Sequence, residues 1–72
     1  MAGAVFENGQ VNLNEATAEN LETLPGIGPG LAQAIIEYRE AHGPFERVED
    51  LLLVPGIGPS RLEQLRELVT VE

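Results

Sequence analysis

Leu24-Pro25-Gly26-Ile27-Gly28-Pro29-Gly30 returns thirty residues later as Val54-Pro55-Gly56-Ile57-Gly58-Pro59-Ser60. The identical stretch, Pro-Gly-Ile-Gly-Pro, is five residues long and occurs twice in a chain of 72. Two such runs at a fixed spacing mark an internal duplication. With two copies the expected product is a pseudo-two-fold pair, because a solenoid needs three or more repeats. The match extends outward: Glu19-Asn20-Leu21 aligns with Glu49-Asp50-Leu51, and Glu37 aligns with Glu67.

Each copy reads as helix, tight turn, helix. Thr17 suits the N-cap of a short helix over about Ala18 to Leu24, which Pro25 and Gly26 end. Gly26 and Gly28 are expected to supply backbone conformations that a side chain resists. Pro29 fits the first position of the next helix, where its missing N–H is no loss. That helix is predicted to reach Ala41 or His42. It carries an apolar stripe of Leu31, Ala34, Ile35 and Tyr38, and Gly43-Pro44 closes it.

The second copy repeats the plan. A short helix over Val48 to Leu53 turns Val48, Leu51 and Leu52 inward. A last helix from Pro59 carries Leu62, Leu65, Leu68 and Val69 on one side. Val11 and Leu13 alternate with Asn12 and Asn14, so this piece is expected to lie extended on the core, with Phe45 plugging it from the connector. No stretch predicts a paired strand. The fold class is all-α, with residues 1–10 a flexible N-terminal segment and residues 11–72 the folded domain. The expected core is Leu21, Leu24, Ile27, Leu31, Ile35, Tyr38, Phe45, Leu51, Val54, Ile57, Leu62, Leu65 and Leu68.

Composition narrows the function. A hydrophobic content of 43% suits a folded globule, not a disordered tail. Cysteine is absent and His42 is the sole histidine, which removes disulfides, thiolate sites and the usual zinc sites. No apolar run approaches the roughly 20 residues of a membrane span, and no signal peptide is visible. Ser60 has no base partner suggested by its neighbours, so no enzyme, cofactor or small-molecule substrate is expected. Tyr38 belongs to the apolar stripe rather than to a stacking platform.

The turns themselves suggest a ligand. A helix that begins at Pro29 leaves the N–H groups of Gly30 and Leu31 without intrahelical partners, and those of Ile27 and Gly28 are expected to point the same way. Free amides at a positive helix end form an anion site suited to phosphate, and glycine lets the anion come close. The second copy offers Gly58, the Ser60 and Arg61 amides, the Ser60 hydroxyl and the Arg61 guanidinium. The candidate phosphate-binding set is therefore Gly26, Gly28, Gly30, Leu31, Gly56, Gly58, Ser60 and Arg61. Two such turns related by a two-fold reach the two strands of a duplex symmetrically, reading backbone position rather than base sequence. The competing reading is that each turn only reverses the chain between helices.

These residues carry a family resemblance. The runs Val11-Asn12-Leu13-Asn14, Ala18-Glu19-Asn20-Leu21, Leu24-Pro25-Gly26-Ile27-Gly28-Pro29, Ala32-Gln33-Ala34-Ile35-Ile36-Glu37-Tyr38-Arg39, Gly43-Pro44-Phe45 and Val48-Glu49-Asp50-Leu51 resemble the tandem helix-hairpin-helix, or (HhH)2, domain of ComEA-type competence proteins over residues 11–71. The resemblance implies non-sequence-specific binding of double-stranded DNA across the minor groove. It also implies a role in DNA uptake during natural transformation, periplasmic or on the outer face of the cytoplasmic membrane, alongside other competence proteins. A monomeric domain is expected. The turn carbonyls of Leu24, Gly26 and Ile27 either hold a monovalent cation, as in some such proteins, or bond water.

Two features depart from that pattern. Gly30 and Ser60 stand where family members often carry Lys after the hairpin Pro, and Gln33, Glu37, Glu40, Glu63 and Glu67 occupy helix faces that are usually basic. Twelve acids against four Arg and no Lys give a net charge of −8. Yet residues 24–31 and 54–61 contain no acid, and the second stretch includes Arg61. Acids on a far face are substantially screened beyond a Debye length of about 8 Å, although Glu22 and Glu63 lie nearer. Weak, salt-sensitive DNA binding is expected. The alternative is an acidic (HhH)2 protein-interaction or scaffold module that has lost DNA binding.

Overall fold

The computed structural model describes residues 9–71. The elements run β1 (Val11–Asn12), α1 (Ala18–Glu22), α2 (Pro29–His42), a 3-10 helix (Val48–Leu53), α3 (Pro59–Leu65) and β2 (Val69–Thr70). Most of the segment expected to be flexible, residues 1–8, lies outside the described residues. Of its last two residues, Gln10 reaches the Glu67 carbonyl with its side-chain amide at 3.4 Å.

Local chemistry explains why the first short helix is α and the second is not. Thr17 Oγ1 accepts the Asn20 N–H and Asn20 Oδ1 accepts the Thr17 N–H, both at 3.1 Å, a reciprocal capping box that seats an α turn. The Leu21 N–H then bonds the Thr17 carbonyl, four residues back, at 3.0 Å. In the second copy Arg47 replaces Thr17, and its side chain has no acceptor to offer. Asp50 does the capping alone: its Oδ2 accepts the N–H groups of Glu46 at 3.0 Å and Arg47 at 3.2 Å. The tighter bond from the Asp50 N–H to the Arg47 carbonyl, at 3.0 Å, makes this piece 3-10.

The duplication is built into the core. Five pairs thirty residues apart are buried in both copies: Leu21 and Leu51, Leu24 and Val54, Ile27 and Ile57, Ala32 and Leu62, Ile35 and Leu65. Val11, Leu13, Ala16, Phe45 and Val69 complete the core. Tyr38 is half-buried, stacked between His42 at 4.4 Å and Phe45 at 5.2 Å between centroids.

Three expectations are corrected. The last helix stops at Leu65, and the chain turns to run extended, so Leu68 is 39% exposed rather than core. Val69 stays buried, but from β2. Second, β1 and β2 pair in parallel, Val11 with Val69 and Asn12 with Thr70, where no strand was expected. The Val11 N–H bonds the Leu68 carbonyl and the Leu13 N–H the Thr70 carbonyl, both at 2.9 Å. The β-branched run Val69-Thr70-Val71 favours this extended exit over a helical one. Third, Leu52 faces outward at 43% exposure, because three residues per turn in the 3-10 helix brings Val48 and Leu51, not Leu52, onto the core side.

A polar clasp holds the extended segment down. Asn14 Oδ1 accepts the Phe45 N–H at 2.7 Å, and its Nδ2 donates to the Phe45 carbonyl at 3.0 Å. Arg39 Nη1 donates to the Leu13 carbonyl at 2.8 Å. Buried Asn12 is satisfied locally, its Oδ1 accepting the Asn14 N–H at 2.9 Å.

Candidate nucleic-acid interface

The two hairpins have the same backbone. In the first, the Ile27 N–H closes on the Leu24 carbonyl at 3.1 Å around Gly26, whose φ of +77° is left-handed. In the second, the Ile57 N–H closes on the Val54 carbonyl at 3.1 Å around Gly56, with φ of +98°. Both Ile side chains are buried and pin the turns to the core. Gly28 and Gly58 are the N-caps of α2 and α3, and their carbonyls accept the Ala32 and Leu62 N–H groups at 2.9 Å.

This geometry separates the glycines into two kinds. Gly26 and Gly56 are required by conformation, since a left-handed φ strains any other residue. Gly28 and Gly58 are not, contrary to the expectation for Gly28: their φ values of −96° and −108° are ordinary extended backbone. A Cβ added at Gly28, Gly30 or Gly58 meets nothing within 4 Å. All three are exposed, and neither conformation nor packing asks for glycine at them.

The first intrahelical bond of α2 is made by Ala32 and that of α3 by Leu62, so the N–H groups of Gly30, Leu31, Ser60 and Arg61 precede it. Neither helix has a side-chain cap. The Ile27 N–H does not join them, contrary to expectation, because the turn itself consumes it at the Leu24 carbonyl.

The residues that follow Gly30 and Ser60 cross between the copies. Leu31 reaches over the second hairpin, its Cδ2 2.7 Å from where a Cβ on Gly56 would sit. Thirty residues on, Arg61 reaches over the first hairpin into the space a Gly26 side chain would fill. Its Nη1 donates to the Gly26 carbonyl at 2.9 Å. Each hairpin is thus covered by a side chain of the other copy, one apolar and one cationic. The carbonyls of Leu24 and Gly26 already carry donors, one of them a guanidinium, whose charge would repel a monovalent cation at that position. No group of three or more His, Asp or Glu among the described residues could hold a metal ion.

The remaining charges sort by place. Arg66 donates to Glu49 at 2.8 Å and pairs with Glu63 at 3.3 Å, so the charge of Glu63 on α3 is partly offset. Arg47 pairs with Asp50 at 3.6 Å. The backbone N–H of Glu46, and after it that of Arg47, hold the Asp50 carboxyl below its ordinary pKa. A backbone N–H and then the Arg66 guanidinium do the same for Glu49, and the hydrogen bond to Glu49 raises Arg66 in turn. Sequence reasoning placed Arg61 at the second hairpin and missed its reach to the first. The thirty-residue correspondence of Leu31 with Arg61 was the available signal.

Residues 7–70 match the helix-hairpin-helix motif family. ComE operon protein 1 of Bacillus subtilis (strain 168) is 45% identical over 62 residues, 86% of this chain and 30% of that protein. A Haemophilus influenzae protein is 46% identical over 61 residues, 83% of this chain and 54% of its own length. The human endonuclease/exonuclease/phosphatase family domain-containing protein 1 is 51% identical over 57 residues, 79% of this chain but 10% of that protein. The chain therefore spans between a tenth and about half of the length of these relatives. The chain belongs to the helix-hairpin-helix family, as a tandem domain of the ComEA type.

Proposed function

We propose that this domain binds double-stranded DNA without reading its sequence, by placing the uncapped amides of the two Gly-Ile-Gly hairpins against phosphates. One observation carries the reading: Gly28, Gly30 and Gly58 are exposed glycines that the fold does not need. For stability alone Asp, Asn or Ser at the N-caps caps better than Gly, by a few tenths of a kcal/mol. Glycine there leaves the amides bare and lets a bulky anion come to the backbone. Leu31, Gly30, Ser60 and Arg61 contribute amides, Ser60 a hydroxyl, and Gly26 and Gly56 the turn that presents them.

The setting is DNA uptake in natural competence, by similarity to the ComEA type. A place periplasmic or on the outer face of the cytoplasmic membrane, and work with other competence proteins, belong to the same proposal. Among the described residues no helix is long and apolar enough to cross a membrane. The module acts as a monomer and catalyses nothing; its contacts are to backbone phosphates.

Binding is weak. With about 2 to 4 phosphates engaged, the logarithmic salt slope is about −2 to −3.5, and Kd at physiological salt is high micromolar or weaker. Fluorescence anisotropy with duplex DNA at low and physiological salt tests this. Affinity that is tight and indifferent to salt contradicts it.

A second reading, an acidic protein-interaction or scaffold module, is favoured by the net charge of −8 and by exposed Leu52 and Leu53, where the first copy has Glu22 and Thr23. NMR separates the two. Duplex DNA shifts the amides of Gly28, Gly30, Gly58 and Ser60 under the first reading, and leaves them unmoved under the second.

A further inference from the structure

We infer that Arg61 serves the phosphate at the first hairpin rather than at its own, which makes the first hairpin the stronger of two unequal grips. This rests on the DNA-binding reading above and assigns a partner to one side chain within it.

The geometry argues for it in steps. Arg61 lies on α3, yet its guanidinium is anchored to the Gly26 carbonyl, 35 residues away, at 2.9 Å. The left-handed Gly26 leaves open the space that the guanidinium fills. One of five N–H donors is used there, and the rigid planar fork leaves others for a second acceptor. Arg47 and Arg66 are ion-paired and Arg39 is turned to the Leu13 carbonyl, whereas no carboxylate among the described residues comes within ion-pair distance of Arg61. Among the described residues its guanidinium therefore has no carboxylate partner, and it stands at the hairpin that leads into the Gly30 and Leu31 amides. Anchoring also means that little side-chain freedom is lost on binding. The second hairpin has Leu31 at the corresponding place, with no charge to give.

A set of variants tests the assignment. Arg61→Leu repeats at the first hairpin the packing that Leu31 makes over Gly56, so the fold tolerates it. Gly28→Val and Gly58→Val obstruct one hairpin each, with no neighbour within 4 Å of the new Cβ. Circular dichroism melts confirm that each variant folds. Duplex affinity is then read by anisotropy at low salt.

Arg61→Leu is expected to weaken binding about tenfold and to make the salt slope shallower by about 0.9. The loss persists in the Gly58→Val background and falls below about twofold in the Gly28→Val background, where the partner phosphate is already gone. Leu31→Arg is expected to strengthen binding by a similar factor, by supplying the missing cation at the second hairpin. A loss that vanishes in Gly58→Val and persists in Gly28→Val overturns the assignment, as does an equal loss in both. Wild-type protein that fails to bind duplex at low salt removes the DNA reading itself, and this assignment with it.

Discussion

The first hairpin is covered by a cation and entered from a fully capped α-helix. The second is covered by a leucine and entered from a 3-10 helix capped by one carboxylate. The backbones between are alike: a left-handed glycine, a buried isoleucine, an extended glycine N-cap and a proline. Duplication preserved what the hairpin needs in order to form and let vary what leans on it. Backbone geometry is demanding at only one glycine per turn, while the positions that cross between copies tolerate either an aliphatic or a cationic side chain.

The largest effect should appear where the copies are equivalent. Ile35 and Leu65 occupy the same buried position in the two halves. Ile35→Ala and Leu65→Ala should each cost about 2–5 kcal/mol in urea denaturation. A cost confined to one copy would break the equivalence. Next comes a feature the second copy lacks, the Asn14 clasp on Phe45. Asn14→Ala leaves both Phe45 backbone groups without this partner and should cost about 1–3 kcal/mol.

The two kinds of glycine provide the third contrast. Gly26→Ala and Gly56→Ala should each lose about 1–2 kcal/mol to left-handed strain, with Gly26→Ala also displacing Arg61. Gly28→Asp should gain a few tenths of a kcal/mol by capping α2, while its carboxylate weakens duplex binding at least tenfold in anisotropy. Loss of stability there would show that the first N-cap glycine is structural after all.

The entry helices give a smaller effect. Arg47→Thr should restore to the second copy the capping hydroxyl of the first and raise stability by about 0.5–1 kcal/mol, seen as a rise of a few degrees in Tm. The smallest concerns acid. Asp50 titrates below its ordinary pKa in the folded state, so its stabilising contribution is present above the unfolded value of about 3.9 and lost as pH falls through the lower folded value. The Tm difference between wild type and Asp50→Asn should be full at pH 7 and shrink under acid. A difference independent of pH would mean that the carboxylate charge is not what caps the 3-10 helix.

Much of this was legible beforehand because it is local. Thr17, Pro29, Gly43 and Pro59 mark helix ends by backbone chemistry that acts within a few residues. The repeat itself gave the tandem hairpins and most of the core. What escaped reading depends on distant segments. A two-residue strand has no periodicity to detect, so Val11 and Val69 became partners only once residues 11–12 met residues 69–70. Leu68 was assigned to a helix stripe that the chain abandons after Leu65. Which hairpin glycine is left-handed could not be told from Gly-Ile-Gly, since both glycines tolerate it.

Sequence alone therefore determined the duplication, the Gly-Ile-Gly turns, the uncapped helix starts and the acid-free hairpins, because each is a matter of residue type at short spacing. Only the tertiary structure decided that Arg61 and Leu31 change hairpins, that neither conformation nor packing requires glycine at Gly28 and Gly58, and that the first and last described segments are tied together. These follow from how the two copies pack. Burying the paired leucines and isoleucines in one shared core brings the start of each second helix over the opposite turn, and no single stretch of chain carries that information.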